Sequence, residues 1–324
     1  MNRGGVLDRD NTGIIALLSP EGYTGSIPWI CVATTHLLFN PRRGDVKLSQ
    51  LVLLLAEIDK MAHFDPRSSS SSRPPSSPES AASNSDSDSN SSSDSSDSDD
   101  EQPVKNSYCP IILCGDLNSE PFSDFYKFIT SGSLCYNGLI SRLLCGQKEG
   151  DDGSIVYLNR KLLPQSLKIS QNCRYKAVED ARWRRSCQTL LNSGAGISKR
   201  PEFSTNTGSL RHTMNFKSVY KHAIRTPKSK IPEISTYHEA AACTVDYIFY
   251  SSPTSKKYKS SDSSNSSRSS ASSDDSDNDE SNTENPLVLV SRYSLPARRD
   301  LKQKLPTDIF PSDHLCLIAK FLLR

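Results

Sequence analysis

The chain has 324 residues, enough for one large domain or two modest ones. Only 35% of its residues are hydrophobic, which is below the roughly 45–50% of an ordinary soluble domain even when glycine is allowed for, and its formal net charge is +2. No apolar stretch reaches the length of a membrane span, and the opening residues, MNRGGVLDRDN, lack the apolar core of a signal peptide. These features exclude an integral membrane protein and favour the cytoplasm or nucleus.

Two Ser/Asp-rich tracts, residues 68–101 and 261–285, account for the low apolar content and conceal a basic remainder. Outside them the chain has 37 Lys and Arg against 22 Asp and Glu, a net charge of about +15. A basic body suits a polyanion such as RNA, although a surface rich in Lys and Arg also serves solubility. We expect both tracts to be disordered insertions, either inert spacers or targets of acidophilic kinases, in one domain that comprises residues 1–67, 102–260 and 286–324.

The nine cysteines are scattered without a C-x-x-C pair. Five of them lie in or beside apolar runs, as small buried hydrophobic residues do: Cys31, Cys109, Cys114, Cys243 and Cys316. This usage predicts a reducing compartment, with no disulfide partner and no zinc site.

In chain order, the first predicted elements are strands over residues 12–18 and 28–38, joined by a turn that contains Pro and Gly. An amphipathic helix follows, with Asp45 as a plausible N-cap. Its apolar stripe recurs at helical spacing and consists of Leu48, Leu51, Val52, Leu55 and Ile58.

Beyond the first Ser/Asp tract, PIILC predicts a strand and Phe122–Ile129 a helix capped by Ser123. The stretch 147–235 has little periodicity and is rich in Arg, Lys and Ser, so we expect long loops with short elements. TVDYIFYS (244–251) is a further predicted strand, and LVLVSRYSL and LCLIAKFLL supply the last two. Strands with helices between some of them predict an α/β or α+β fold with a two-sheet core.

Several strand ends carry polar residues: Asp116 and Asn118 in CGDLNS, Asp246 in TVDYIFY, Asp313 and His314 in PSDHL, and His36 in ATTHLL. Each has a structural alternative when it is taken alone. A Gly-Asp-x-Asn stretch closes a turn, a strand Asp is satisfied by a backbone or His partner, and an Asp-His pair caps the next element.

Together these residues match the requirements of phosphoester hydrolysis. The reaction needs a divalent cation held by carboxylates, a base that reaches an attacking water, and donors around the phosphate. Alternate residues of an extended segment share a face, so Asp116 and Asn118 are expected to point the same way. A His paired with a buried Asp becomes a fixed, charged donor to phosphate.

The motifs CGDLNSEP, TVDYIFYS and PSDHLCLIAKF resemble the three C-terminal motifs of the endonuclease/exonuclease/phosphatase superfamily. Within it they resemble the branch that holds Nocturnin, the Ccr-type deadenylases and the Angel proteins. The Angel subgroup is the most similar, because LDRDNTGIIALL and ICVATTHLLFNPRRGDVKLSQLVLLLAEI also look like its sequences. The two Ser/Asp tracts lie outside the resemblance.

The resemblance implies a role for each candidate catalytic residue. Asp116 matches the residue that orients or deprotonates the attacking water, at the metal. Asn118 matches the one that steadies the phosphate in the transition state. Asp246 matches the carboxylate that holds the catalytic His, which is His314 here.

Further positions are implied around the substrate. His36 matches a His close to the scissile phosphate, and Pro41 a residue that packs against a base in the deadenylases. Arg42 and Arg43 are candidates for phosphate contacts, or are simply solvated. Asp313 matches an acidic position at the Mg²⁺ ion.

One departure from the family pattern is large. The family's domain begins with a strand that carries an Asn, followed by a Leu-Gln-Glu segment whose Glu is the main Mg²⁺ ligand. Neither precedes Leu7, and Glu21 sits in a turn that does not match. We therefore expect the chain to start midway through the first half of the fold, with partly uncovered apolar faces, weak Mg²⁺ binding, and low stability and activity.

The expected architecture is the C-terminal part of a four-layer α/β sandwich interrupted by two disordered insertions. The implied function is Mg²⁺-dependent hydrolysis of phosphoesters at RNA 3′ ends, either removal of 2′,3′-cyclic phosphate or 3′-exonucleolytic deadenylation. A non-catalytic RNA- or protein-binding remnant is the alternative from another class. The Angel-like sequence of residues 30–59 disfavours a lipid or inositol phosphatase of the same superfamily. The sequence does not indicate an oligomeric state.

Overall fold

The computed structural model of the chain describes residues 6–19, 21–22, 29–63, 108–147, 153, 155–192, 203–227, 229–251 and 287–324. The Ser/Asp tracts 68–101 and 261–285 lie outside these residues, so their disorder stays a prediction. All nine cysteines carry free thiols. Of the helices in the described part of the chain, none combines the length and the apolar composition needed to cross a membrane.

Strands outnumber helices in the described residues. The helices are α1 (Gly44–Ala62), α2 (Asp124–Ser131) and α3 (Lys176–Asn192). The longer strands are β1 (Gly13–Leu18), β2 (Ile30–His36), β3 (Ile111–Asp116), β11 (Asp246–Ser251), β12 (Leu287–Arg292) and β13 (Ala319–Leu323). The short strands are β4 (Ser133–Cys135), β5 (Ser209–Arg211), β6 (Phe216–Ser218), β7 (Ala223–Arg225), β8 (Lys230–Pro232), β9 (Thr236–Tyr237) and β10 (Ala242–Cys243).

The centre of the fold is a five-stranded mixed sheet with strand order β1-β2-β3-β11-β6. Strands β2 and β3 are parallel, and each of the other neighbouring pairs is antiparallel. A parallel pair requires a crossover connection, and α1 lies in the connection between β2 and β3. The α/β class is therefore confirmed, and each predicted strand overlaps an observed one, although β3 runs two residues past PIILC to Asp116.

Helix α1 packs its predicted apolar stripe into the main core, and all five stripe residues are fully buried. Its N-cap residue is Arg43, and Asp45 lies one residue into the first turn. The prediction that Asp45 is the N-cap is wrong. The carboxylate of Asp45 instead accepts two hydrogen bonds from the Arg43 guanidinium, at 2.9 and 2.8 Å.

Strand β11 is covered on both faces. Tyr247 and Phe249 belong to the main core, whereas Ile248 and Tyr250 pack against a second cluster that includes Phe321 of β13. The antiparallel pair β12–β13 thus lies against the opposite face of the central sheet from α1 and α2. The β1 end is less covered, since Ile14 and Leu18 are 66% and 51% exposed, as expected for an uncovered apolar face.

The expectation of only short elements in residues 147–235 is wrong in one place, because α3 has 17 residues. Its sequence, KAVEDARWRRSCQTLLN, has little apolar periodicity, and only Cys187 among its described side chains is buried. The helix is held instead by a polar contact, since Arg182 forms an ion pair with Asp59 of α1 at 2.8 Å. Such a contact leaves no periodic signal in the sequence.

Candidate active site

The carboxyl ends of β2 and β3 and the start of β11 place three candidate residues in one row across the sheet. His36 lies directly opposite Asp116 in the parallel pair, and Asp246 lies directly opposite Asp116 in the antiparallel pair. Side chains at paired positions of neighbouring strands share a face and lie close together. Asp116 is therefore flanked by His36 on one side and Asp246 on the other.

Close approach of β2 and β3 depends on Gly115. A Cβ atom at this position would lie 1.9 Å from the carbonyl oxygen of Thr35, and the residue has a φ of +133°. Only glycine fits both constraints. The Gly of the GDLN motif thus lets the strands come together immediately before the catalytic candidate.

The side chains of two histidines converge on one carboxylate oxygen. His36 Nε2 lies 3.3 Å from Asp116 Oδ2, and His314 Nε2 lies 4.0 Å from the same atom. His314 Nδ1 lies 2.8 Å from Asp246 Oδ2, which fixes the orientation of the imidazole ring. The predicted residues His36, Asp116, Asp246 and His314 are thus brought together although they are far apart in sequence.

Ser235 holds the Asp246 carboxylate in place. Its hydroxyl donates to Asp246 Oδ2 at 2.7 Å and accepts from the backbone N–H groups of Val245 and Asp246, at 3.0 and 3.2 Å. The Ser235 carbonyl also accepts from Leu315 N at 2.7 Å, next to His314. The sequence gives little signal for Ser235, because it lies in a short irregular segment.

The site raises the pKa values of both His314 and Asp116. The hydrogen bond to Asp246 raises the pKa of His314 to about 8, despite partial burial. Burial, followed by the nearby charge of Asp246, raises the pKa of Asp116 above its ordinary value. The backbone N–H of Asn118 partly offsets this effect, donating to Asp116 Oδ1 at 2.8 Å.

The Asp246→Asn substitution is expected to lower the pKa of His314 from about 8 to its ordinary 6.5 or below, because the charged acceptor is lost and burial remains. In the wild type, protonated His314 stabilises the fold fully below about pH 6.5, and this contribution is lost as the pH rises to about 8. NMR titration of the imidazole protons measures the pKa. Asp313→Asn is the control, since Asp313 is the weakest of the three charges that raise the pKa, and an equal decrease there would contradict the assignment.

Asn118 does not share an extended face with Asp116, so that expectation is wrong. Its φ is +46°, in the left-handed region, and the chain turns away immediately after β3. The side chain is buried, and its amide donates to the Leu37 carbonyl at 2.9 Å. Asn and Asp tolerate this conformation because their short polar side chains bond locally. The role of Asn118 at the phosphate stays a prediction.

A fully buried lysine supports the same turn. Lys47 of α1 donates from Nζ to the Asn118 carbonyl at 2.7 Å and to the side-chain oxygen of Gln147. Sequence reasoning missed Lys47, although a charged residue four positions before Leu51 interrupts the apolar stripe of the helix. That interruption was the available signal.

The Lys47→Met substitution is expected to destabilise the protein by about 1–3 kcal/mol, because the Asn118 carbonyl and the Gln147 side-chain oxygen lose a buried donor. Urea unfolding measures the change. Lys127→Met is the matched control, as Lys127 is exposed and pairs with Asp124 on the surface of α2, and we expect its effect to stay within about 0.5 kcal/mol. Equal effects of the two substitutions would contradict the supporting role of Lys47.

The end of β2 is fixed by a small amide network that sequence reasoning also missed. Asn11 Nδ2 donates to the His36 carbonyl, and Gln50 Nε2 donates to Asn11 Oδ1, both at 3.0 Å. Gln50 Oε1 in turn accepts from Leu38 N at 3.0 Å. These bonds hold the backbone at His36 and two residues beyond it.

The three substrate candidates lie in the turn between β2 and α1. Pro41 is half-buried, and the Arg42 carbonyl accepts from Ser141 Oγ at 3.0 Å. The Arg43 guanidinium is committed to Asp45, so a phosphate contact requires that it bind both groups. Substrate binding by these residues stays a prediction.

A possible metal site is formed by Asp116, Asp246 and His314, whose ligand atoms lie within 4.8 Å of one another. Asp246 is already bonded to His314 and Ser235, so Asp116 is the best placed carboxylate. Asp313 is not part of this cluster, and its backbone carbonyl accepts from Thr236 Oγ1 at 2.9 Å. Carboxylate oxygens suit Mg²⁺, so the residues fit such an ion with few protein ligands.

Comparison with known proteins yields relatives over nearly the whole chain. Protein angel homolog 2 of Mus musculus is 34% identical over 322 residues, covering 98% of this chain and 48% of that protein. Protein angel homolog 1 of Rattus norvegicus is 32% identical over 366 residues, covering 98% and 46%. The 3′-5′-exoribonuclease subunit Ccr4 of Phaeosphaeria nodorum is 31% identical over 136 residues, which are 41% of this chain and 21% of that protein.

A solved structure shows the same fold. The crystal structure of ANGEL2, described as a 2′,3′-cyclic phosphatase in complex with adenosine-2′,3′-vanadate, matches with a TM-score of 0.61 at 33% identity and covers 98% of this chain and 63% of that one. No protein-family model matches the chain. The chain spans about half the length of the curated relatives that it matches.

Proposed function

The chain is an Angel-type sequence of the endonuclease/exonuclease/phosphatase superfamily, and on this premise we propose that it is a metal-dependent hydrolase of phosphoester bonds at RNA 3′ ends. The observation that carries the proposal is the placement of His36 and His314 on either side of Asp116 at the sheet edge. The similarity to a 2′,3′-cyclic phosphatase and to an exoribonuclease subunit supports the reaction class.

In the proposed mechanism, Asp116 orients the attacking water and takes its proton. As the water oxygen bonds to phosphorus, one P–O bond to the ribose breaks, and the leaving oxygen takes a proton from solvent while Asp116 later returns the water's proton to solvent. The Nε2 atom of His36 lies 3.3 Å from Asp116 Oδ2, so His36 can contact a phosphate that is bound beside Asp116.

His314 supplies positive charge to the phosphate in this scheme. With a pKa of about 8 it is mostly protonated at neutral pH, and its Nε2 faces Asp116 while Nδ1 binds Asp246. A fixed imidazolium stabilises the charge that develops on phosphate oxygens in the transition state. Asn118 serves as a further donor if its amide turns from the Leu37 carbonyl towards the phosphate.

We propose Mg²⁺ as the cofactor, held chiefly by Asp116 with Asp313 as a second candidate. When bound, the ion would neutralise phosphate charge and stabilise the developing oxyanion. Mg²⁺ prefers six oxygen ligands, and the described residues offer few carboxylates for it. We therefore propose weak Mg²⁺ binding and slow turnover by the 324-residue chain.

Of the two RNA substrates, we propose the 2′,3′-cyclic phosphate, because the solved structure with this fold is described as a 2′,3′-cyclic phosphatase. The test incubates the protein and Mg²⁺ with an RNA that ends in a 2′,3′-cyclic phosphate and, separately, with a polyadenylated RNA. Consumption of the cyclic end, to a phosphate monoester or to free hydroxyls and inorganic phosphate, is the expected result. Shortening of the poly(A) tail would favour the deadenylase reaction, and binding of both RNAs without hydrolysis would favour the non-catalytic alternative.

A further inference from the structure

A cavity of about 540 Å³ lies between the start of α1 and the segment 155–164, and we call it the α1 cleft. Its volume falls within the range of roughly 300–1,000 Å³ that is typical of small-molecule sites. The cleft is lined on one side by Arg43 and Asp45 and on the other by Tyr157, Asn159 and Lys161. None of the four central residues of the candidate active site lines it.

The charge of the α1 cleft favours an anion. Among the described residues that line it are Arg9, Arg43 and Lys161, and Asp45 is the one acidic residue in that set. Asp45 is paired with Arg43, so Arg9 and Lys161 remain as the excess positive charges. No ion pair of either residue occurs within the described ranges, and both can contact phosphate groups.

The wall of the cleft also carries an exposed aromatic ring. Tyr157 is 60% exposed, yet its backbone is fixed by a β-bridge to Ile140. Ser141, the next residue, donates to the Arg42 carbonyl and accepts from Asp45 N. The backbone of Tyr157 is therefore anchored opposite the start of α1, and its exposed ring is suited to stacking on a nucleic-acid base.

The α1 cleft lies on the same side of the sheet as the candidate active site. Helix α1 begins after the turn that follows His36, at the carboxyl end of β2, and Asp116 ends the parallel neighbour β3. Ligands of α/β sheets bind outside the carboxyl ends of the strands. An RNA strand whose 3′ end lies at Asp116 can therefore continue across the turn towards the cleft.

We propose that the α1 cleft binds a nucleotide of the RNA strand upstream of the cleaved phosphoester. Tyr157 stacks on its base, and Arg9 and Lys161 contact its phosphates. The inference rests on the proposed function, which supplies the RNA substrate. It adds a binding site that lies outside the reacting groups.

The test measures binding by fluorescence anisotropy of a labelled RNA of about ten nucleotides and of an abasic oligomer of the same length. Tyr157→Ala is expected to weaken RNA binding by about 5-fold or more and to leave binding of the abasic oligomer unchanged. Lys161→Glu is expected to weaken binding of both oligomers. It is also expected to reduce the slope of log binding constant against log salt concentration by about one, the equivalent of one phosphate contact.

Two matched controls separate the cleft from general charge and stability effects. Lys217→Glu reverses an exposed charge on β6, at the far edge of the sheet, and Tyr293→Ala removes a ring that is 72% exposed after β12. Both are expected to change RNA binding by less than about 2-fold. Equal losses for Lys217→Glu and Lys161→Glu, an unchanged affinity for Tyr157→Ala, or no RNA binding by the wild type would overturn the inference.

The labelled RNA carries a 2′,3′-cyclic phosphate at its 3′ end, and its hydrolysis is scored separately in the same samples. If RNA is hydrolysed while the cleft variants bind like the wild type, the cleft inference fails and the proposed function stands. If the binding pattern holds but no RNA is hydrolysed, the cleft stands and the proposed function fails.

Discussion

The Asp116→Asn substitution is expected to lower the rate of RNA phosphoester hydrolysis by about 100- to 10,000-fold, the range that general base catalysis contributes. The amide cannot take a proton from water and is a poorer ligand for Mg²⁺. The fold is expected to persist, because the amide oxygen still accepts from the Asn118 N–H and a buried charge is removed.

Single-turnover kinetics with protein in excess over an RNA that ends in a 2′,3′-cyclic phosphate measure this effect even when turnover is slow. Asp124→Asn is the matched control, since Asp124 begins the nearby helix α2 and forms an exposed pair with Lys127. Its rate is expected to equal that of the wild type. If Asp116→Asn retains a rate close to that of Asp124→Asn, Asp116 is not the base.

The Asp59→Ala substitution is expected to destabilise the protein by about 3–5 kcal/mol, because it removes the acceptor shared by two largely buried guanidinium groups. Asp59 is buried near the end of α1 and binds Arg174 Nε at 3.0 Å and Arg182 at 2.8 Å. Its carboxylate also accepts a hydrogen bond from the Tyr108 hydroxyl. Without the Asp59 carboxylate, the largely buried guanidinium groups of Arg174 and Arg182 lose the negative charge that they share.

Chemical unfolding measures the total loss of stability, and hydrogen exchange locates it. We expect the amides of α3 to exchange faster in the variant, since this helix has few buried apolar residues and is attached through Arg182. Glu239→Gln is the control, because Glu239 is exposed and pairs with Lys304 at the surface, where such pairs contribute little. Unchanged stability of Asp59→Ala would show that α3 is held by other contacts.

Much of the fold was predictable because its signals are local. The stripe of α1 repeats at helical spacing, and all of its residues are buried as expected. The Ser123 cap of α2 is equally local, with its hydroxyl accepting from Tyr126 N at 3.2 Å. The apolar, β-branched runs that form the central strands were recognisable for the same reason.

The elements that escaped prediction depend on contacts between distant residues. Helix α3 is tied to α1 by an ion pair between Arg182 and Asp59, which no periodicity reveals. Asn118 turns away from the line of β3 because its amide binds the carbonyl of Leu37, a contact made across the fold. Tertiary contacts, rather than local propensity, determine the helical conformation of α3 and the backbone conformation of Asn118.

The candidate site was predictable as a set of residue types, and its geometry was not. Asp116, Asp246 and His314 were selected because three polar strand ends together suit one reaction. Their supports, Ser235, Lys47 and Gln50, had weak signals, because a serine, a lysine and a glutamine are ordinary residues until their buried partners are known. Support of this kind is what holds reacting groups in place.

The central claim is that Asp116 and the residues around it form a metal-dependent phosphoesterase site. The most direct measurement follows the 2′,3′-cyclic phosphate end of an RNA under single-turnover conditions, with increasing Mg²⁺ and with a chelator. We predict slow hydrolysis that rises with Mg²⁺ into the millimolar range, because the described residues offer few carboxylates for the ion, and that stops in the chelator. Hydrolysis at the same rate in the chelator, or none at any Mg²⁺ concentration, would contradict the account.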